Sequence, residues 1–459
     1  CTGTVTGTGT NNRVATWSGN TSLDSDADFT YDGTTLTVGC KATIGSCHSN
    51  SGTLSSIVGG TLNTGSIACS FIGGGELNKL CSGQSSRGHD FIGSGCGNTV
   101  STYYGCNVIV GGKGGSISGY ESLNFIGGGC LQTIAGGGSN TIVGGGRNCI
   151  SSTGPYSGTN FIGGGFCNHL STDGGGSNAI VSGLCNSISN SYGGGNAEVS
   201  SFIGAGCGNT ISTYSGYYGG LQGYNVIVGG RRNALKCVTG GTTCIGCSVI
   251  VGGYLNTGSS AFSFIGGGYC NQVLGNCGFI GGGRSNSICS GETFAFIGGG
   301  CCNIVDGDFS IIGSGCLNKV VTPYSVIGGG TCNIMCQSCY GVIAGGLCNF
   351  LNCNTGGNGC FNTIGGGCNN RMCASSGGAG NTIAGGRSNC ICDDSDGTIG
   401  GGSNNLVCNY AGTVAGGYAN KACSNYSFIG GGRSNVITAT GCCSGILGGF
   451  SNCVNGHDH

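Results

Sequence analysis

The stretch Ile72-Gly73-Gly74-Gly75-Glu76-Leu77-Asn78-Lys79-Leu80 decides the fold of this 459-residue chain, because its pattern recurs 23 times. We call the residue after the Ile position 0, which falls at 58, 73, 93, 110, 127, 143, 163, 181, 204, 228, 251, 266, 281, 298, 313, 328, 344, 365, 384, 400, 415, 430 and 447. The spacing between neighbours runs from 15 to 24 residues. Because this spacing never falls below 15 residues and varies only by lengthening, each repeat consists of a structural coil of constant size and one loop that can lengthen. The chain is therefore a repeat protein.

Three positions of the pattern tolerate little variation. Position −1 is Ile except at Val414, position +2 is always Gly, and position +5 is Asn except at Gly115 and Gln132. A site restricted to Gly indicates positive φ or close backbone approach. Asn tolerates left-handed conformations and bonds nearby backbone, so Gly-x-x-Asn predicts a tight corner.

Apolar residues at position +7 supply a second inward side chain eight residues after the Ile, as Ile142 and Ile150 do. Each coil is then strand, Gly-Gly corner, strand and variable corner. Stacking such coils gives an all-β, parallel β-solenoid (β-roll) of about 23 two-strand coils. At about 4.8 Å per coil the stack would be roughly 110 Å long. The 108 glycines and the lack of a 3.6-residue apolar period argue against helix.

Position −2 is often Phe, and adjacent strand residues point to opposite faces. These Phe side chains therefore point away from the core of their own coil, and a row of them in water would form a large apolar patch. The residues concerned are Phe71, Phe91, Phe125, Phe161, Phe202, Phe264, Phe279, Phe296 and Phe428. We expect an intertwined or side-packed homotrimer, with a dimer or a stacked filament as alternatives.

Composition narrows the function. Charged residues make up 7% of the chain and the net charge is −1, so we expect neither nucleic-acid binding nor a polybasic membrane contact. No apolar run reaches the ~18–20 residues of a membrane span, so we expect no membrane insertion. Cys1 could carry lipid in a processed lipoprotein, although chance also places a Cys first in so Cys-rich a chain.

The chain divides into residues 1–42, a lead-in with a β-hairpin, residues 43–454, a solenoid rich in Gly, Cys and Asn, and residues 455–459, a His-x-His tail. The segment from Ile44 to Asn50 resembles a degenerate first coil, with Cys47 at the position that is otherwise Gly. Such a coil is consistent with a cap.

The 36 cysteines follow the repeat. One column lies at positions +3 and +4 of five consecutive coils, and another at +8 of four coils: Cys301, Cys302, Cys316, Cys332, Cys348 and Cys368, then Cys373, Cys392, Cys408 and Cys423. Disulfides between coils or chains, reduced thiols that pack as small apolar groups, and metal binding all remain open. Near-parallel Cα–Cβ vectors on in-register strands argue against disulfides in mid-strand, and corners are more forgiving. Cys244-x-x-Cys247 and Cys336-x-x-Cys339 are lone pairs, whereas zinc needs four ligands.

No catalytic constellation is visible, so we expect no enzyme and no required cofactor. His457 and His459 would place two imidazoles on one side of a strand, and three such pairs on a trimer axis would offer six nitrogens to Fe²⁺. The alternative is a frayed or cut end. Two acidic clusters, Asp24/Asp26/Asp28 and Asp393/Asp394/Asp396, could bind Ca²⁺ or could be solvated turns.

The lead-in adds a resemblance. Thr6-Gly7-Thr8-Gly9-Thr10-Asn11 leads into Trp17-Ser18-Gly19 and Tyr31-Asp32-Gly33, which is similar to a segment of phage tail fibres and tailspikes. The Ile-Gly-Gly-Gly-x-x-Asn coils resemble the head repeats of trimeric autotransporter adhesins. The two resemblances imply a fibrous, trimeric and extracellular protein. The chain departs from both groups in its abundant Cys. Tail fibres of this kind often carry a C-terminal endosialidase-type chaperone, and we expect it to be either cleaved off or absent from this chain.

Our first hypothesis is the shaft or receptor-binding region of a virion fibre, attached to a host-surface glycan or protein through variable loops. Contact is expected at the long segments 212–224 and 236–248, and above all at Tyr214, Tyr217, Tyr218 and Tyr224, since Tyr suits sugar stacking. The alternative is a disulfide-reinforced filament or cell-surface stalk without its own receptor site, joined to other virion or filament components. Ice binding by Thr363, Thr382, Thr398 and Thr413 is a third hypothesis.

Overall fold

The computed structural model describes the backbone of residues 13–17, 23–31 and 36–38, and then residues 42–81, 88–120, 123–153, 158–173, 176–192, 200–215, 224–236, 246–336, 339–353, 361–374, 379–392, 395–438 and 442–455. The chain forms two compact units, Cys1–Ile188 and Ser189–His459. Strands and turns account for the regular structure of the described residues. Within these residues no helix is long and apolar enough to cross a membrane.

The lead-in forms a three-stranded antiparallel sheet of Arg13–Trp17, Leu23–Tyr31 and Leu36–Val38. The second and third strands pair from Phe29 opposite Val38 to Tyr31 opposite Leu36. Because these two strands are consecutive in the chain and antiparallel, they form a β-hairpin.

The first unit stacks coils of two short strands. Those that precede the Gly-x-x-Asn corner (first strands) are Ser56–Ile57, Phe71–Ile72, Phe91–Ile92, Val108–Ile109, Phe125–Ile126, Thr141–Ile142, Asn160–Ile162 and Asn178–Ile180. Those that follow the corner (second strands) are Ser49–Asn50, Thr64–Gly65, Lys79–Leu80, Thr99–Thr102, Ser116–Gly119, Thr133–Ala135, Cys149–Ser152 and His169–Thr172. The strand Ser187–Tyr192 contains the boundary between the units.

The second unit repeats this arrangement. Its first strands are Ser201–Ile203, Asn225–Ile227, Val249–Ile250, Phe264–Ile265, Phe279–Ile280, Phe296–Ile297, Ile311–Ile312, Val326–Ile327, Val342–Ile343, Thr363–Ile364, Thr382–Ile383, Thr398–Ile399, Thr413–Val414, Phe428–Ile429 and Gly445–Ile446. Its second strands are Thr210–Ser215, Ala234–Lys236, Thr257–Gly258, Gln272–Val273, Ser287–Ile288, Ile304–Val305, Lys319–Val320, Ile334–Cys336, Phe350–Cys353, Arg371–Ala374, Cys390–Cys392, Leu406–Val407, Lys421–Ala422, Val436–Ile437 and Cys453–Val454.

Equivalent strands of neighbouring coils pair in parallel and in register. Ile265 pairs with Ile280 in the sheet of first strands, and Val273 with Ile288 in the sheet of second strands. Since all four side chains are fully buried, each coil places one large apolar residue per strand in a narrow core. The prediction of an all-β parallel β-solenoid is confirmed.

The Gly-x-x-Asn corner is tight and its Gly has positive φ as expected, but the second left-handed residue is the one at +4 and not the Asn at +5. Gly at +2 has positive φ, as at Gly75 (86°), and so does the residue at +4, as at Leu77 (57°). A Cβ on Gly75 would lie 2.0 Å from the carbonyl oxygen of Gly95 in the next coil, so no other residue fits there. The Asn at +5 follows the left-handed residue and is buried.

The buried Asn side chains form a hydrogen-bond ladder between coils. Asn405 Nδ2 donates to the Gly401 carbonyl oxygen (2.9 Å) and to that of Gly417 in the next coil (3.0 Å). Its Oδ1 accepts from the backbone N–H of Asn420 (3.0 Å). A buried polar group costs about 1–3 kcal/mol if unpaired, so the ladder fixes Asn at this position.

The first coil has a different register from the one expected. Ser46 bridges to Thr61, a +3 residue, so Gly45 with φ 126° takes the Gly position and Cys47 lies at +4. His48 replaces the ladder Asn, and its Nδ1 accepts from the backbone N–H of Asn63 (3.1 Å). The assignment of Cys47 to the Gly position was therefore wrong. The His48 imidazole supplies the hydrogen-bond acceptor that Asn supplies in the other coils, so the ladder position of this coil is not marked by Asn.

Candidate functional surfaces

The first strands present an apolar outer face in both units. Phe91 is 36% exposed and Phe428 is 42% exposed, while the Ile that follows each is fully buried. The outward direction predicted for the −2 side chains is confirmed. In the second unit the rings of Phe264, Phe279 and Phe296 stack in successive coils, with centroids 4.9 and 5.0 Å apart.

On this face, a Phe at −2 never shares its coil with a side chain at position 0. Each of the nine Phe residues at −2 is followed at position 0 by Gly, whereas Val at position 0 follows only Ser, Ala, Thr or Val. The last coil inverts the pattern, with Gly445 at −2 and Leu447 at 0. A Cβ on Gly163 would lie 2.5 Å from the carbonyl oxygen of Val181 in the next coil and 3.2 Å from Cε1 of Phe161, so the neighbouring backbone and the Phe ring both restrict this position. Each Phe thus lies beside a position without a side chain.

The same face carries no ionisable residue. None of the 23 coils has Lys, Arg, His, Asp or Glu at −2, 0 or +1. Thr363, Thr382, Thr398 and Thr413 pair in register on this face in four successive coils. We call positions −2, 0 and +1 of the first strands the uncharged face.

The cysteine column at +3 and +4 lies along the Gly-x-x-Asn corner. Cys301 bridges in parallel to Cys316 of the next coil, and the sulfur atoms of Cys301 and Cys302 are 3.3 Å apart. Cys332 and Cys348, at the left-handed +4 position, have φ of 56°. The structure therefore brings this column together in space, and its oxidation stays a prediction.

The +8 column contains a close sulfur contact between neighbouring coils. The sulfur atoms of Cys408 and Cys423 are 2.7 Å apart, although their strands are parallel and in register. The thiol contact with Cys408 and the nearby Lys421 ammonium lower the pKa of Cys423 to about 7, against the effect of burial. Earlier in the column, Arg371 Nε donates to Cys373 Sγ (2.7 Å).

Most of the Tyr and His residues predicted to bind a receptor or a metal ion lie outside the described residues. Tyr217, Tyr218, His457 and His459 are outside the described residues, and only the backbone of Tyr214 is described, on the strand Thr210–Ser215. Tyr224 is 71% exposed. The receptor and iron predictions at these residues stay predictions.

The acidic and thiol clusters are the candidate metal sites. The described residues contain no group of three or more His, Cys, Asp or Glu side chains placed to hold a metal ion. Asp393 and Asp394 are outside those residues, and Asp24, Asp26 and Asp28 are described only as strand backbone. The Ca²⁺ prediction therefore stays untested.

Sequence reasoning missed an aromatic column on the variable corner. In five successive coils the left-handed residue at −4 is aromatic, and the rings stack with centroids 5.0, 5.2, 5.0 and 5.2 Å apart in the order Phe294, Phe309, Tyr324, Tyr340 and Phe361. These rings are 44% to 66% exposed. The recurrence of aromatic residues four before position 0 is a visible signal in the sequence, but the variable length of this corner obscures it.

No protein-family model and no curated protein matches this chain. The class that its fold defines is the parallel β-solenoid.

Proposed function

We propose that this chain is a fibrous, extracellular, structural and adhesive protein without enzymatic activity. It serves as the shaft or receptor-binding region of a virion fibre, and attaches to a host-surface glycan or protein. The observation that carries the proposal is the uncharged face, which both units present to solvent. An apolar face of this extent favours burial against another protein surface.

The partner for that face is a second and a third copy of the same chain. Every copy offers the same uncharged face, on which nine coils carry Phe beside Gly and the other coils carry other uncharged residues. Such a surface suits the self-complementary or cyclic contacts of homo-oligomers. A homotrimer around the uncharged faces would bury the exposed Phe rings and leave both corners open to other partners.

The thiol columns support a second candidate function. Cysteine recurs on the corners of consecutive coils, where its sulfur atoms are exposed or half-buried. A filament or cell-surface stalk reinforced by disulfides, with no receptor site of its own, would use these thiols to join coils or chains.

A glycan array combined with electrophoresis separates the two candidates. Attachment predicts saturable binding of the purified assembly to at least one surface glycan or immobilised surface protein. The filament alternative predicts no such binding, together with covalent oligomers in SDS that disappear on reduction. A monomer that binds none of these probes would contradict both.

A further inference from the structure

Charge is unevenly distributed around the coil. Seven of the 15 Lys and Arg residues lie at positions +3 and +4, on the Gly-x-x-Asn corner, where Glu76 is the single acidic residue. The seven are Lys113, Arg147, Arg231, Arg232, Arg284, Arg387 and Arg433. The acidic side chains Glu292, Asp306, Asp308 and Asp396 lie on the variable corner instead. The constant corner is therefore cationic, most strongly in the second unit, which carries five of the seven.

The densest part of this cationic corner lies in the second unit. Arg231, Tyr254, Tyr269 and Arg284 occupy position +3 in four successive coils and are joined by parallel bridges. Arg232 is exposed beside them at +4. We call these five residues the Arg–Tyr ridge.

The ridge is ordered by stacking. The Arg231 guanidinium carbon lies 5.6 Å from the ring centroid of Tyr254, and that of Arg284 lies 5.8 Å from the centroid of Tyr269. The two Tyr centroids are 5.5 Å apart. Since a cation over an aromatic face is held by the quadrupole of the ring, the two guanidinium groups are positioned before any ligand arrives.

Pre-positioned guanidinium groups suit a particular class of ligand. The planar fork of Arg binds carboxylate and sulfate groups with two parallel hydrogen bonds. Arg231 and Arg284 are three coils apart, or roughly 14 Å at the usual strand spacing. Several linked sugar rings span such a distance, and the Tyr rings between offer apolar contact to sugar C–H groups.

We propose that the Arg–Tyr ridge binds a linear acidic polysaccharide, with its carboxylate or sulfate groups on the arginines and its sugar rings against Tyr254 and Tyr269. This inference rests on the proposed attachment to surface glycans. It places the contact on the constant corner, away from the variable segments that carry Tyr214 and Tyr224.

The test measures binding of the full chain to immobilised dextran sulfate, hyaluronate and neutral dextran. The variant R231A/R284A should lose about tenfold or more in affinity for the acidic polymers, since two bidentate contacts are removed. R231K/R284K should show an intermediate loss, because Lys keeps the charge but not the fork. Y254A/Y269A should weaken polysaccharide binding although the net charge is unchanged.

The matched control is K319A/R387A, which removes two positive charges from the same unit outside the ridge. An equal loss in the control and in R231A/R284A would overturn the site, because binding would then follow net charge alone. Tighter binding to duplex DNA than to either acidic polymer would also overturn it. If the wild-type chain bound no acidic polymer but bound a neutral glycan or a surface protein, the ridge would be refuted and the proposed function would stand.

Discussion

At the residue scale, the Asn ladder shows why one amide is preferred at position +5. Asn148 donates from Nδ2 to the carbonyl oxygens of Gly144 (2.9 Å) and Gly165 (3.1 Å). Gln132 occupies the same position one coil earlier, and its Oε1 accepts from the backbone N–H of Asn148 (3.0 Å). Its buried Nε2 has no hydrogen-bond partner among the described residues. The extra methylene of Gln132 therefore preserves the hydrogen bond that the amide oxygen accepts, whereas the two hydrogen bonds that the amide nitrogen would donate are lost.

We predict that Gln132→Asn stabilises the first unit. The shorter amide would pair with the carbonyl oxygens of Gly128 and Gly145, so the opening free energy of these coils should rise by about 1–2 kcal/mol. Native-state hydrogen exchange measures this energy coil by coil. The reverse change in the next coil, Asn148→Gln, is the matched control and should lower it. Destabilisation by both changes would contradict the ladder argument.

We predict that Cys423 is the most reactive thiol of the +8 column near neutral pH. Its pKa of about 7 leaves about half of it as thiolate at pH 7, against a few per cent for an ordinary thiol. Iodoacetamide labelling followed by peptide mass spectrometry should show labelling about tenfold faster than at Cys81, whose neighbours in the column are Ser66 and Ser101.

Two variants check the cause of this reactivity. Cys408→Ala and Lys421→Ala should each slow the labelling of Cys423, because the thiol contact and the ammonium both favour the thiolate. Since the folded pKa is depressed, the stability linked to the thiolate is present above the ordinary thiol pKa and is lost as the pH falls through about 7. Labelling that does not change between pH 6 and 8 would contradict the assignment.

At the element scale, the two corners of the coil differ in how they hold left-handed residues. The constant corner combines Gly at +2 with the buried Asn ladder, and so tolerates Leu, Cys or Arg at the left-handed +4 position. The variable corner holds Phe309, Tyr324 and Tyr340 in left-handed conformations by stacking their rings. Left-handed conformation costs non-Gly residues about 1–2 kcal/mol, so each corner contains contacts that offset this cost.

We predict that Tyr324→Ala destabilises the variable corner by about 1–3 kcal/mol, because it removes two ring contacts and keeps the left-handed strain. Tyr324→Gly should cost less, since Gly relieves the strain. The readout is hydrogen exchange of the residue 324 amide, which donates to the Asp308 carbonyl oxygen (2.8 Å). Phe262→Ala is the control, because Cys247 and Cys277 flank it in the column and it should change little. Equal costs at residues 262 and 324 would contradict the role of stacking.

The coil itself was predictable because its signals are local and repeated 23 times. Ile at −1, Gly at +2 and the apolar residue at +7 are each required by the space available at that position. The inward and outward faces follow from the alternation of side chains along a strand. The corner conformation was harder to predict from the sequence, because the left-handed +4 position, occupied for example by Leu77, is not restricted to one type of residue. The ridge also required the structure, since residues 15 or more positions apart become neighbours only after the coils are stacked in register.

At the scale of the whole molecule, the first-strand side is uncharged in both units. In the second unit the Gly-x-x-Asn corner is cationic with interleaved aromatic residues, and the variable corner carries acids and stacked rings. Self-association through the uncharged face would leave both corners accessible. Assembly and attachment are therefore compatible on one chain, and each can be altered without the other.

The most direct test of the account is the native mass of the wild-type chain beside F279K/F296K, measured by light scattering under reducing conditions. We predict a trimer for the wild type and a monomer for the variant, because two lysines would lie in the uncharged face. The control Q272K/S287K places the same charges on the second-strand face of neighbouring coils and should stay trimeric. A monomeric wild-type chain, or a variant that assembles as the wild type does, would contradict the account.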